Sequence, residues 1–198
     1  MNPNISDPDA PLVRRFQGGD RTAFEELYER YKSKVYSTAY RITNNAAEAA
    51  DVSQEVFVNL FKKIGLFQFR SSFSTWVYRM SVNASIDRYR KITRHPAQSV
   101  DDPEFQEKGE FRRMADDKAV EAGAELHQRE IDESVRRAIN NLPIKLKSAI
   151  VLRYIQDLSY QEVAQALGCS EGTVKSRLNR AHEKLRKLLE RGEAHAMP

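Results

Sequence analysis

The stretch Leu158–Leu188 reads LSYQEVAQALGCSEGTVKSRLNRAHEKLRKL, and its apolar residues recur at helical spacing in two runs separated by a tight turn. Gly168 can take the left-handed conformation that ends the first helix, and Ser170 can cap the second by accepting from the Thr173 amide. A short helix, a turn and a longer helix form the helix-turn-helix pattern, whose second helix enters the major groove of DNA. The apolar positions are Val163, Ala164 and Leu167 in the first helix and Val174, Leu178, Ala181, Leu185 and Leu188 in the second.

The outer face of the second helix carries side chains whose chemistry suits DNA. Lys and Arg can pair with guanine, Asn with adenine and Ser with either base, while further cations suit phosphates. A solvated basic face is the alternative interpretation of the same pattern. The candidate DNA-contacting residues are Thr173, Lys175, Ser176, Arg177, Asn179, Arg180 and Lys184, with Arg177 and Lys184 assigned to phosphates.

Composition indicates a charge-rich globular chain, and its modest positive charge favours a polyanionic partner without establishing one. The 198 residues are 40% hydrophobic and 30% charged, with a net charge of +4. Cys169 is the sole cysteine, which excludes an intramolecular disulfide. The N-terminus is polar and no apolar run approaches the roughly 20 residues of a membrane span, so we expect a cytoplasmic protein without membrane insertion.

The first half of the chain predicts four helices. Residues 1–11, rich in Pro, Asn and Asp, are expected to form a flexible tail, and a short helix from Leu12 to Gln17 ends at Gly18. Longer helices follow, one with Asp20 as its N-cap, one over 46–64 and one over 73–91. The predicted core positions are Phe24, Leu27, Tyr28, Tyr31, Val35, Ala39 and Ile42, then Val52, Val56, Phe57, Leu60 and Phe61, then Phe73, Val77, Met80 and Ala84.

The second half begins after a segment without a core pattern. Residues 95–125 have scattered Pro and Gly and an acidic balance, which predicts a flexible linker. Helical periodicity resumes at Leu126, a helix ends at Leu142-Pro143, and the next contains Leu146, Ile150 and Tyr154. The predicted fold is therefore all-α, with two small helical domains over 12–94 and 126–190 and a C-terminal tail over 191–198.

Enzymatic chemistry finds no support in the sequence. There is no Gly-rich phosphate loop, GxSxG, HExxH or paired-cysteine metal site. Asp51 and Glu55 share a helical face, but carboxylates at this spacing are usually solvated or face a partner. We therefore expect no catalytic activity, no metal site and no cofactor.

Two further motifs, in combination with the helix-turn-helix, carry a family resemblance. DVSQEVF at 51–57 and FSTWVYRMSVN at 73–83 precede the linker and the helix-turn-helix, in that order. This arrangement resembles the bacterial RNA polymerase sigma factors, and more narrowly their small two-domain extracytoplasmic-function group. The resemblance covers nearly the whole chain except its two tails.

The resemblance implies specific partners for the first domain. In the family, the polar face of the DxxQExF helix docks on the polymerase, and a merely solvated acidic face is the alternative here. The implied partners are core RNA polymerase, through the clamp helices of its largest subunit and its flap, together with promoter DNA and an anti-sigma factor. The implied polymerase-binding residues are Asp51, Gln54, Glu55 and Asn59.

In the family, the following loop and helix open the promoter −10 element and hold an extruded base, which requires aromatic surfaces, polar groups and cations. Asn83 matches the pocket asparagine, while Trp76 can either pack in the core or contact the duplex fork. The loop lacks the glycine or acidic residue of the commonest family pattern, so its base preference does not transfer. The implied −10 residues are Phe67, Phe69, Arg70, Ser71, Ser72, Trp76, Arg79, Asn83 and Arg90.

The resemblance thus implies a transcription initiation factor that binds core polymerase, reads the −35 element as duplex and melts and reads the −10 element. The linker corresponds to the family segment that threads through polymerase channels. The rival interpretation is a helix-turn-helix transcriptional regulator with an N-terminal sensor or dimerisation domain, which would bind palindromes without polymerase.

Overall fold

The computed structural model describes residues 7–94 and 132–196, and all regular secondary structure within these ranges is helical. This confirms the predicted all-α class. The predicted linker, residues 95–125, and the start of the following helix lie outside the described residues. The helices are α1 Ala10–Gln17, α2 Thr22–Thr43, α3 Ala46–Lys63, α4 Phe73–Arg94, α5 over 132–140, α6 Ile144–Ile150, α7 Tyr160–Leu167 and α8 Glu171–Ala196.

Short polar residues set the helix boundaries in the first half. Asn44 ends α2 in the left-handed conformation, with φ of +55°, and the Asn45 side chain then accepts from the Glu48 amide at 2.9 Å to cap α3. A short 3₁₀ turn, Ile64–Leu66, follows α3. Asp20 accepts from the Thr22 amide at 2.9 Å at the start of α2, close to its predicted capping position.

Residues 7–11, predicted to belong to a flexible tail, are part of the fold. Asp7 accepts from the amide of Phe73 at 2.7 Å, which satisfies a free donor at the start of α4. Asp9 is buried and bonds both Arg30 and the Tyr31 hydroxyl on α2. Burial, followed by the hydrogen bond to Asp9 and the charge of that carboxylate, raises the pKa of Tyr31, so this hydroxyl remains a donor. Asp7 and Asp9 therefore attach residues 7–9 to α4 and α2, which the polar composition of this segment did not predict.

The first core lies among α1–α4 and confirms most of the predicted apolar faces. It contains Leu27, Val35, Val52, Val56 and Val77, all buried. The burial predicted for two aromatic positions is wrong: the exposed fractions are 42% at Tyr28 and 44% at Phe61. Both side chains lie on the rim between α2 and α3 and face solvent.

The helix after Pro143 changes its winding before it ends. α6 continues into a π-helical turn over Val151–Ile155, where Gln156 donates its amide to the Val151 carbonyl at 3.1 Å. The wider turn rotates the following residues relative to an α-helix. Tyr154, predicted on the apolar face, is consequently 54% exposed.

The second core spans both halves of the chain. Ile42 of α2 and Val82 of α4 are buried in one cluster with Leu142, Leu152, Val163 and other residues of the helix-turn-helix half. Tyr78 donates its hydroxyl to Gln156 Oε1 at 3.0 Å across this contact. Burial, followed by the negative charge of Glu162, raises the pKa of Tyr78 to about 12, which keeps the donor protonated at neutral pH.

We call this contact between α4 and the helix-turn-helix half the seam. Lys147 on α6 is buried in it, with its Nζ 5.5 Å from the centroid of the Tyr89 ring on α4. Burial lowers the pKa of Lys147. The seam therefore combines apolar packing with a cation whose desolvation opposes closure.

Candidate polymerase and promoter interface

Side-chain caps hold both helices of the helix-turn-helix. The Ser159 hydroxyl accepts from the Glu162 amide at 3.3 Å, and the Glu162 carboxylate accepts from the Ser159 amide at 2.8 Å, a reciprocal capping box. Gly168 ends α7 with φ of +61°, a conformation that costs glycine little. The Ser170 hydroxyl accepts from the Thr173 amide at 3.2 Å and caps α8, as predicted.

The two faces of α8 differ in burial as their spacing predicts. Val174, Leu178 and Ala181 are buried against the rest of the motif. Among the predicted DNA-contacting residues, Lys175, Ser176, Asn179, Arg180 and Lys184 are exposed, and Thr173 and Arg177 are half-buried. The exposed donors are therefore accessible to a partner on the side of α8 away from the core.

The loop Phe67–Ser72, which we call the reading loop, connects the 3₁₀ turn to α4. Its central residue Phe69 has φ of +54°, an uncommon conformation for a bulky side chain. Phe69 and Arg70 are exposed, and Ser71 is half-buried. On the adjacent helix, the predicted residues Arg79, Asn83 and Arg90 are exposed.

Phe67, predicted to contact DNA, is instead only 8% exposed. Its ring centroid lies 5.0 Å from that of Phe69, 5.8 Å from that of Phe73 and 5.0 Å from that of Trp76. Phe67 therefore supports the loop from below and has no free face on which a base could stack. Trp76 is half-buried against Phe67 and Phe73, which favours the packing role among the two that its position permits.

Ser72, also predicted to contact DNA, is used locally as a cap. Its hydroxyl accepts from the Thr75 amide at 3.2 Å and shares hydrogen bonds with the hydroxyls of Ser74 and Thr75 at 2.9 and 2.7 Å. These bonds satisfy free groups at the start of α4. Ser72 therefore orients the helix that carries Arg79 and Asn83.

The polar face of α3 is presented to solvent. Arg88 of α4 lies 2.8 Å from Glu48 and 3.5 Å from Asp51, and it braces one end of this face. The sequence patterns did not single out Arg88. Of the predicted polymerase-binding residues, Asp51, Gln54 and Glu55 are exposed and Asn59 is half-buried.

An apolar groove of about 670 Å³ lies beside this polar face, between α2 and α3. Tyr28 and Phe57 pack edge to face with ring centroids 4.7 Å apart, and Phe24 and Phe61 do so at 5.1 Å. Val58 is 45% exposed at the same place. The sequence of α3 already indicated this groove. Phe57, Val58 and Phe61 make the apolar surface of the helix wider than the single face that packs in a core.

No helix within the described ranges has a stretch both long and apolar enough to span a bilayer. The described residues also hold no cluster of His, Cys, Asp and Glu suited to a metal ion. The accessible features are thus a face on α3 that is polar on one side and apolar on the other, the reading loop with α4, and the outer face of α8.

Comparison with known proteins identifies the family. Residues 27–95 match the model of sigma-70 region 2, and residues 132–185 match that of sigma-70 region 4. The chain is 35% identical over 187 residues to the RNA polymerase sigma-H factor of Pseudomonas aeruginosa, covering 93% of this chain and 95% of that protein. It is 34% identical over 179 residues to the ECF RNA polymerase sigma factor SigW of Bacillus subtilis, covering 89% of this chain and 94% of that protein.

A solved structure agrees with these matches. The structure of CnrH in complex with the cytosolic domain of CnrY has a TM-score of 0.65 and 25% identity, covering 92% of this chain and 97% of that one. Both matched regions contain the exposed faces described above, and the relatives are matched over nearly their full length. This chain therefore belongs to the sigma-70 family of RNA polymerase sigma factors, in the extracytoplasmic-function group.

Proposed function

We propose that this sigma factor docks on core RNA polymerase through α3, reads the −10 element with the reading loop and α4, and reads the −35 element with α8. The phosphodiester chemistry and its metal ions belong to the polymerase, so the chain itself has no catalytic role. Two tethered DNA contacts gain affinity when polymerase fixes their separation, and the free chain should bind promoters weakly.

The docking proposal rests on a face that combines acceptors with an apolar groove. The carboxylates of Asp51 and Glu55 and the amide of Gln54 suit the Arg and Lys side chains of a partner. Tyr28 and Phe61 offer apolar surface beside them, and exposed apolar surface of this kind marks interaction sites. We propose that this combined face receives the clamp helices of the largest subunit.

The promoter proposal rests on the exposed donors of three elements. Phe69 can stack a base, Arg70 and Arg79 can follow the backbone, and Asn83 can bond a base edge. On α8, the side chains of Lys175, Ser176, Asn179 and Arg180 have the chemistry for base edges in a major groove. Arg177 and Lys184 are proposed to bind phosphates.

The combination of acceptors and an apolar groove on α3, within a chain that matches sigma-70 regions 2 and 4, carries the proposal over its rival. A regulator that dimerises through its N-terminal domain could cover such a face with its own copy, so the face by itself fits both interpretations. Membership of the sigma-70 family agrees with the first interpretation and disfavours the regulator.

The test is transcription in vitro with core polymerase and promoter fragments from the source genome. We expect discrete start sites that depend on this protein, and Glu55→Lys should weaken polymerase binding by at least about tenfold, because it reverses a charge in the docking face. Glu133→Lys makes the same charge change at an exposed position on α5 and serves as the matched control. Tight promoter binding without polymerase, with no new start sites, would support the regulator instead.

We also propose a protein inhibitor that covers these faces. The solved relative CnrH is bound to the cytosolic domain of CnrY, and the exposed groove of this chain has the apolar character of a protein-binding surface. We place the protein in the cytoplasm, where polymerase acts. Affinity purification that repeatedly recovers polymerase and no second protein would count against the inhibitor.

A further inference from the structure

The reading loop is held from behind by α1, a helix that precedes the matched sigma-70 region 2 at 27–95. The amide nitrogen of Gln17 donates to the carbonyl of Ile64 at 3.1 Å and to the carbonyl of Phe67 at 3.0 Å. One side-chain amide has two N–H groups, so a single residue serves both carbonyls. Gln17 thereby fixes the backbone on which the reading loop begins.

A second residue of α1 contacts the exposed aromatic ring of the loop. The guanidinium carbon of Arg14 lies 5.2 Å from the centroid of the Phe69 ring, within the range of a cation–π contact. The Phe67 ring meets Phe69 edge to face from inside the protein. Phe69 remains 37% exposed, so part of its ring surface is open to solvent.

The backbone of Phe69 shows that this arrangement is imposed. A phenylalanine with φ of +54° costs free energy, and such a conformation persists only where its surroundings hold it. The contacts that hold it are the Arg14 guanidinium outside, the Phe67 ring inside and the carbonyl bonds of Gln17 at the start of the loop. The strain therefore points to a ring that is kept in one orientation before any DNA arrives.

We infer that Arg14 and Gln17 are positioning residues for −10 recognition: Gln17 sets the loop, and Arg14 holds the Phe69 ring so that an unstacked base can pack against it. This inference rests on the proposed function of the reading loop. Because Arg14 is an exposed cation beside the stacking surface, it also lies where a strand backbone would pass. Base selectivity at −10 then depends on a helix outside the matched region.

The experiment uses holoenzyme assembled from core polymerase and the full chain. The probe is a fork-junction DNA whose non-template −10 positions are randomised, and sequencing of the bound fraction gives the preference for each base. Arg14→Ala and Gln17→Ala should each reduce the preference at the most selective position by about tenfold, the scale of one lost base–aromatic stack. Arg14→Lys, which keeps the charge without the planar group, should lose less.

Arg15→Ala is the matched control. Arg15 lies next along α1 and pairs with Asp20 and Glu26 without touching the loop, so its removal deletes the same charge and should leave the base preference within about twofold. Binding of each variant to core polymerase and to −35 duplex DNA checks that the fold survives. A preference unchanged in both Arg14→Ala and Gln17→Ala would overturn the inference while leaving the proposed function intact. An absence of −10 preference in the unmodified holoenzyme would overturn both.

Discussion

Replacing Val82 with alanine should open the seam between the two halves of the chain. Val82 is fully buried in the cluster that α4 shares with the helix-turn-helix half. Truncation to alanine removes two methyl groups, worth about 0.8 kcal/mol each, and the cavity left behind adds to the loss. If the closed form is destabilised by about 2 kcal/mol relative to the open form, the equilibrium constant for opening increases roughly 20- to 30-fold.

Opening of the seam matters because the closed chain is shorter than the distance between the two promoter elements. By the positions that name them, the −35 and −10 elements are about 25 base pairs apart, which is about 85 Å at 3.4 Å per base pair. A globular chain of this size has a radius of gyration of about 16 Å, which corresponds to a diameter near 40 Å. Because the two halves pack against each other across the seam, their exposed candidate DNA-binding faces cannot reach both elements at once. We therefore expect promoter binding to require separation of the two halves.

The assay is single-molecule energy transfer between dyes on cysteines introduced at the exposed positions Arg21 and Lys187, with Cys169→Ser as the background. Val77→Ala is the matched control, because Val77 is equally buried on the same helix but packs in the first core. Both variants should lower the free energy of unfolding, and Val82→Ala alone should enlarge the open population. An equal shift in both variants, or none in either, would refute the assignment of Val82 to the seam.

Three further predictions follow from single side chains. Lys147→Met should favour closure, because burial lowers the pKa of Lys147. Because this pKa lies below the ordinary lysine value of 10.5, the closed form of the natural chain binds fewer protons than the open form as pH rises toward that value. Closure therefore strengthens with rising pH, and energy transfer should lose this dependence in the Lys147→Met variant. Ser159→Ala breaks the capping box and should destabilise the second half by about 1 kcal/mol in thermal unfolding, whereas Ser176→Ala, on the exposed face of α8, should change it little. Asn179→Ala should change the preference between bases within the −35 element by about 1–3 kcal/mol. Lys184→Ala should instead weaken binding to all −35 duplexes alike. It should also reduce the slope of log K against log salt concentration by about 0.9, which binding measured across salt concentrations would show.

Local patterns predicted the helices because the signals for them act over a few residues. The capping Ser170 and the glycine turn at Gly168 both lie where their chemistry placed them. The division of α8 into a buried and an exposed face also follows from its 3.6-residue period. These features require no knowledge of the rest of the fold.

The same patterns failed where an apolar residue had two possible destinations. Tyr28 and Phe61 have the spacing of core residues, yet they line the groove between α2 and α3. Within the reading loop, Phe67 is buried and Phe69 is exposed, although both are phenylalanines two residues apart in an irregular segment. Hydrophobicity measures the free energy gained when a side chain leaves water. It does not distinguish burial in a core from burial against a binding partner.

Amino-acid order alone therefore determined the helical segments, several of their ends, the helix-turn-helix and the family motifs, because capping, periodicity and turn chemistry are local. Tertiary structure decided which residues meet across long separations. Gln17 reaches Phe67 across 50 residues, Tyr78 reaches Gln156 across 78, and Val82 joins a core whose other members mostly follow the linker. Such contacts depend on how completed helices pack, and packing is set by the shapes of all the faces together, which no single stretch of sequence contains.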